Sequence, residues 1–209
     1  MNRRIQAIAD LIEEGTGVID VGTDHGYLPI ALAKRGYKGN ILASDIKPEP
    51  LSCAMRNAAE EGADERISFF LSDGLKGCNP KLVDTIVIAG LGGDTICRII
   101  DEAEWTMKRK YTLLLQPMSK GEVLRYFLLN NNYDIISETG VSEGGKRYCI
   151  FKARFCPFQK EVSKYSDAEI FAGRSPDREA VEAAIRYLEN RPEKHYFGKI
   201  IEELRKMNG

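Results

Sequence analysis

Hydrophobic and polar residues alternate with two different periods along this chain, and the periods trade places through its first three quarters. Ile5, Ile8, Ala9, Leu11 and Ile12 fall near one face of a helix over residues 3–14, which Gly15-Thr16-Gly17 ends. Val18-Ile19-Asp20-Val21 reads as a short buried strand, residues 28–34 as a helix closed by Gly36, and residues 40–45 as the next strand. Residues 48–61 carry proline in the first turn, with Leu51, Ala54, Met55 and Ala58 along one side and Gly62 as terminator, which are the marks of a helix. Residues 66–71 and 83–89 read as strands, 96–103 as a helix, 111–116 as a strand, and 122–130 as a helix broken by Asn131-Asn132. Residues 133–138 and 147–155 are two more strands, with only 139–146 between them.

Strands joined by helices run parallel, because a parallel pair needs a long crossover. The last two strands lack a helix between them and predict an antiparallel hairpin. Five strand–helix units and a hairpin give an α/β, Rossmann-like, doubly wound sheet of seven strands, which is also the outline of the class I methyltransferase fold. The pattern changes at Pro157. A short helix over 165–173 is followed by Ser175 as a cap and Pro176 as the first position of a longer helix. Ala180, Val181, Ala184, Ile185 and Leu188 form one apolar stripe, and Phe197, Ile200, Ile201, Leu204 and Met207 a second beyond the turn at Asn190-Arg191-Pro192. The chain thus divides into a domain over 1–156 and a small C-terminal helical domain over 157–209.

Composition narrows the class. The 209 residues carry 30 Lys+Arg against 31 Asp+Glu, a net charge of −1, so a nucleic-acid partner needs a local basic patch. No apolar run approaches the ~18 residues of a membrane span, and the N-terminus lacks a signal core, so a cytoplasmic protein without membrane contact is expected. Five cysteines without a Cys-x-x-Cys pair, and only two histidines, argue for buried reduced thiols and no metal.

The informative positions are the strand ends. Asp20 and Gly22 follow the first strand, Asp45 with Ile46 the second, and Asp73 with Gly74 the third. A dinucleotide site wants Gly-x-Gly-x-x-Gly, and here the run is Asp20-x-Gly22-x-x-x-Gly26. An acid at the first strand repels a pyrophosphate and suits an ammonium group. S-adenosylmethionine has that group and no phosphate. Asp20 and Gly22 are assigned to its methionine end, Asp45 to the ribose hydroxyls and Asp73 to the adenine amino group. Gly90 and Gly92, within Gly90-Leu91-Gly92-Gly93, leave room for a flat base beside the backbone, although such glycines also suit a tight turn. Gln116 offers one amide beside Pro117.

Asp20-Val21-Gly22-Thr23-Asp24-His25-Gly26-Tyr27-Leu28-Pro29, Ala89-Gly90-Leu91-Gly92-Gly93, Leu114-Leu115-Gln116-Pro117 and Glu143-Gly144-Gly145-Lys146-Arg147-Tyr148 resemble the bacterial tRNA (adenine-22-N1)-methyltransferase family, TrmK, over residues 1–155. The family often has Asn after Gln-Pro, where this chain has Met118. The resemblance implies a class I fold with a coiled-coil-like C-terminal domain, S-adenosylmethionine as methyl donor, and methylation of adenine N1 in tRNA. On that chemistry Asp24 is the first catalytic candidate, a carboxylate that accepts from the target amino group as N1 becomes cationic. His25 positions a neighbour, stacks or shuttles a proton. Tyr27 is the third candidate, with core packing as its alternative. Arg3, Arg4, Lys108, Arg109, Lys110 and the tail's Lys and Arg are candidates for phosphate contacts. A monomer is expected. The competing functions are methylation of a protein or small molecule, and a non-catalytic S-adenosylmethionine-binding module. A nicotinamide-dependent oxidoreductase is disfavoured by the missing glycine fingerprint.

Overall fold

A computed structural model describes residues 3–157, 165–174 and 176–207. Its first part runs α1 (Arg3–Leu11), β1 (Val18–Val21), α2 (Tyr27–Lys34), β2 (Ile41–Asp45), α3 (Pro48–Glu60), β3 (Ile67–Leu71), β4 (Thr85–Gly92), α4 (Gly93–Asp101), β5 (Thr112–Ser119), α5 (Gly121–Asn130), β6 (Tyr133–Glu143) and β7 (Lys146–Phe155). The strands form one sheet in the order β3-β2-β1-β4-β5-β7-β6, parallel except for β7, which is antiparallel to both neighbours.

Strand alternation sorts side chains onto two faces. Ile19, Val21, Ile86, Ile88, Leu113 and Leu115 pack with Ile96, Ile99 and Ile100 of α4 and Leu124 and Leu128 of α5. Val18, Ile41, Ala43, Val87 and Leu114 face the other way, onto Ile8 of α1, Leu28 and Leu32 of α2 and Ala58 of α3. β1 and β2 are buried at every residue, as strands covered on both faces must be.

Several boundaries depart from the sequence pattern. β3 and β4 are joined by turns, not by a helix, so the five strand–helix units are not all present. β4 does not end at Ala89. Its pairing with β5 shifts register there, Gly90 takes φ +79° as a bulge residue, and the strand continues to Gly92. The expected connection over 139–146 is mostly strand, because Gly144 and Gly145 at φ +57° and +74° close a two-residue hairpin turn between Glu143 and Lys146.

The tail holds α6 (Asp167–Ala172), α7 (Arg178–Glu189) and α8 (Gly198–Met207). Ser166 and Glu169 form a capping box at α6. Ser175 lies outside the described residues, and Pro176 is not the first position of α7. Asp177 caps that helix, accepting from the Ala180 N–H at 2.9 Å. The two apolar stripes meet as expected: Val181, Ala184 and Leu188 pack with Ile201 and Leu204, and with Ala168 and Ala172 of α6.

The tail is docked on the sheet domain through charge. Arg125 of α5 is 3% exposed, donates from Nε to Glu138 Oε1 at 3.0 Å and from Nη1 to the Ile170 carbonyl of α6, and lies over the Phe151 ring. Arg147 of β7 pairs with Asp177 and Glu179. Replacing a buried cation strands its partner, so Arg125→Met should lower stability by about 3 kcal/mol in chemical denaturation. Arg125→Met/Glu138→Leu should recover most of that loss, and an equally unstable double variant would show that the pair is not the cause.

Candidate active site

Register places the three strand-end acids along one edge. Asp20 pairs with Ala43 of β2, Asp45 ends β2 opposite Leu71 of β3, and Asp73 follows two residues beyond Leu71. Their environments differ. Asp20 is buried, and burial pushes its carboxyl from 3.8 up to about 6. The Thr23 hydroxyl, donating to Asp20 Oδ2 at 2.8 Å, opposes the shift, and the negative charge of Asp45 adds to it. Asp45 is also buried, and it braces two turns. Oδ2 accepts from the Asp24 N–H at 3.2 Å, and Oδ1 from the Lys47 N–H at 3.0 Å. Ile46 beside it is exposed. Asp73 pairs with Lys76 at 2.5 Å, which holds its carboxyl below the ordinary range. Its Oδ1 is buried without a hydrogen bond, with Arg98 Nη1 3.5 Å away. Gly74 packs against α4, where an added Cβ would lie 3.2 Å from Ile99.

The turn after β1 is built from backbone. The N–H groups of Gly22 and Thr23 both donate to the Ser44 carbonyl at 2.9 Å. Asp24 takes φ +51°, and Gly26 caps α2 with no side-chain hydrogen bond, so Asp24 is not a helix cap. The Asp24 side chain is 68% exposed, with Oδ2 3.5 Å from His25 Nε2. The His25 ring stacks on Tyr27 at 5.3 Å, and its Nδ1 meets Cys53 Sγ at 3.3 Å. Tyr27 is more than half exposed, which excludes core packing. Asp24, His25 and Tyr27 therefore form one group at the mouth of β1.

Leu91 overlies Gly22, so the turns after β1 and β4 adjoin. The space beside Gly90 is open, and Gly92 lies near the Ser119 hydroxyl. Gln116 is not a free amide. It is 1% exposed, Oε1 accepts from Arg4 Nη1 at 3.0 Å, and Nε2 donates to the Pro117 carbonyl. Arg4 also donates to Glu143 at 2.7 Å and lies 4.6 Å from the Tyr148 ring centre. Arg3 donates its backbone N–H to the same Glu143. Lys108, Arg109 and Lys110 precede β5 and lie at the opposite end of that strand from the acids, which sets them apart from this edge. Of the five thiols only Cys78 is buried, the others being partly exposed, and none of the five is in a disulfide. A groove of about 1100 Å³ lies between the end of β5, the β6–β7 hairpin, α5 and the tail, and none of Asp20, Asp45 and Asp73 lines it. Met118, Lys120, Arg147, Tyr148, Arg174 and Tyr187 are among its lining residues. Among the described residues no three His, Cys, Asp or Glu side chains are grouped to hold a metal, and no helix is long and apolar enough to cross a membrane.

A family model described as a methyltransferase domain matches residues 1–151. The tRNA (adenine(22)-N(1))-methyltransferase of Bacillus subtilis is 31% identical over 153 residues, 73% of this chain and 64% of that protein. The chain thus spans just under two thirds of that relative's length. The structure of M. capricolum TrmK in complex with S-adenosyl-homocysteine is 26% identical, with a TM-score of 0.74 over 99% of this chain and 96% of that one. A ribosomal protein L11 methyltransferase of an Exiguobacterium species is 36% identical over only 99 residues, 47% of this chain and 31% of that protein.

The buried Asp20 makes stability depend on pH. Its proton is held more tightly in the folded chain than in the unfolded one, so its ionisation weakens folding as pH rises from about 4 to about 6. Raising a carboxyl from 3.8 to about 6 corresponds to about 3 kcal/mol between its protonated and ionised forms. The stability of Asp20→Asn relative to the parent should therefore improve by about that amount between pH 4 and pH 7.5 in urea unfolding. A difference that stays flat with pH would show that the carboxylate is solvated.

Proposed function

The chain belongs to the methyltransferase-domain family, and within it to the bacterial tRNA (adenine-22-N1)-methyltransferases, and from that premise we propose that it transfers a methyl group from S-adenosylmethionine to N1 of adenine 22 in tRNA. The observation that carries the cofactor assignment is the row of acids at adjacent strand ends. Asp73 Oδ1 fits an amino donor such as that of adenine. The buried Asp20, raised to about 6, fits an ammonium group whose charge would restore its ionisation. Asp45 retains lone pairs for ribose hydroxyls beyond the two backbone donors it holds. Exposed Ile46 supplies an apolar contact for a base, with Gly74 beside Asp73. Gly22, Gly90 and Gly92 keep side chains out of the crevice. When bound, S-adenosylmethionine supplies a methyl group made electrophilic by its sulfonium.

Adenine N1 carries its own lone pair, so no strong base is required. The protein's work is to hold that nitrogen in line and to stabilise the positive charge that spreads onto the ring. Asp24 accepts from the target amino group, and that contact strengthens as charge develops. His25 donates to Asp24 and fixes its direction. Tyr27, exposed and stacked on His25, offers its free face to the base. The target must leave its stack to reach them. Residues 157–209 form the RNA-holding domain in this reading, with Arg174 lying over the Tyr165 ring in the groove between the β6–β7 hairpin and the tail. A tRNA substrate places the work in the cytoplasm, without membrane or metal.

Tritiated S-adenosylmethionine with unmodified tRNA tests the reading, and the label should appear as 1-methyladenosine at position 22. Label in protein instead of RNA would favour the L11-type relative, and binding without turnover would leave a binding module. Asp24→Asn keeps the left-handed backbone, which Asn tolerates, and removes only the charge. The single-turnover rate should fall about 10²-fold. Cofactor affinity should change by less than about tenfold, and melting temperature little, since no cap is lost. Full activity in this variant would remove Asp24 from the mechanism.

A further inference from the structure

We propose that Cys53 is a positioning residue, whose thiol sets the tautomer and tilt of the His25 ring so that Nε2–H is aimed at Asp24. The inference rests on the catalytic reading of Asp24 and His25 given above. Cys53 lies on α3, one turn before Asn57, and its Sγ is 3.3 Å from His25 Nδ1. Two further groups reach the sulfur, Arg56 Nη2 at 3.6 Å and Asn57 Nδ2 at 3.8 Å. Both are donors, and a guanidinium can only donate. The sulfur therefore accepts from them, and its own proton has His25 Nδ1 as its acceptor.

That assignment fixes the ring. With Nδ1 accepting, the neutral imidazole carries its proton on Nε2, the nitrogen 3.5 Å from Asp24 Oδ2. A carboxylate only accepts, so this tautomer gives the Cys53 thiol an acceptor and turns an N–H, not a lone pair, toward Asp24. The reverse tautomer fails twice. It gives the sulfur a third donor while stranding the S–H, and it turns a nitrogen lone pair toward a carboxylate. The backbone is held by the same helix, because Asn57 Nδ2 also donates to the His25 carbonyl at 2.9 Å. Cys53 touches neither the target base nor the methyl group. It acts through His25, as a group that orients an imidazole does in other relays.

The chain has only His25 and His195, so imidazole nitrogen resonances of a histidine-labelled sample number four, and His195→Gln assigns them. Spectra at about pH 8.5, where a free imidazole is neutral, should show His25 protonated on Nε2 in the parent and in Cys53→Ser. Cys53→Ala should show a tautomer mixture. In methylation assays Cys53→Ala should lower kcat about fivefold, the scale of one hydrogen bond, with KM for tRNA and cofactor affinity within about twofold. Cys53→Ser should restore the rate. A parent ring protonated on Nδ1, or a Cys53→Ala ring that keeps the parent tautomer, overturns the proposal whatever the activity. A shifted tautomer with an unchanged rate overturns it too. His25→Ala separates the two levels: if it methylates at the parent rate, the catalytic reading of His25 fails on its own account, independently of what the spectra say about Cys53.

Discussion

All the chemistry of this chain depends on a constraint of parallel pairing. The parallel strands β3, β2, β1, β4 and β5 deliver their carboxyl ends to one edge of the sheet. The chain reverses its direction of strand addition beside β1, so β2 lies on one side of it and β4 on the other. The helices that follow then leave toward opposite faces, α2 with one half of the core and α4 with the other. Their departing turns cannot fill the space between them, and a crevice opens at that point. Asp20 lies near the end of β1, at that point. Its burial weakens folding at neutral pH despite the Thr23 hydrogen bond, which is the pattern of a residue kept for binding at the expense of stability.

Two arginines solve a second problem, which is how to fix elements far apart in sequence around that crevice. Arg4 ties α1 to the end of β5, to Glu143 at the tip of β6, and to the Tyr148 ring of β7. Arg125 ties α5 to β6 and to a carbonyl of α6. Each guanidinium meets acceptors on several elements in one planar fork, which a Lys ammonium would not match. Buried ion pairs contribute little net stability against an apolar replacement, and their directionality instead selects one docking geometry. The tail helices pack a hydrophobic cluster among themselves and meet the sheet through these polar contacts.

The strand–helix order and the strand-end acids were legible in the sequence because both rest on local pattern. Periodicity located β1 and β2, and an acid at each strand end can be read from neighbours alone. What was not legible depends on partners remote in the chain. Arg4 looked like a free cation, and its acceptors lie more than a hundred residues away at Gln116 and Glu143. Gln116 looked available for the same reason. The β6–β7 hairpin was shortened because polar Thr139, Ser142 and Glu143 suggest a loop, whereas cross-strand pairing carries them to the Gly144-Gly145 turn. The closeness of Gly74 to Ile99 is likewise a matter of packing that its position beside Asp73 does not reveal. The His25–Cys53 contact had no signal, since nothing in the spacing of residues 25 and 53 marks it.

The exposure of Asp24 completes the physical picture. A carboxylate two thirds open to water exerts a weak field, because solvent screens it. Its position is nonetheless fixed in advance. The turn holds three left-handed residues, Gly22, Asp24 and Gly26, and the N–H groups of Gly22, Thr23 and Asp24 are spent on Ser44 and Asp45, so the backbone has little freedom to follow a substrate. In the proposed reaction the missing element is a dry surrounding, and the target base itself brings it by covering the mouth of β1. The same charge then acts in a lower dielectric, on a ring that becomes cationic only as the methyl group moves. An acid that was buried before the base arrived would have had its charge suppressed, as Asp20 shows on the neighbouring residues of the same strand end. Leaving Asp24 exposed defers its desolvation to the arrival of the substrate, so its strongest interaction is reserved for the transition state.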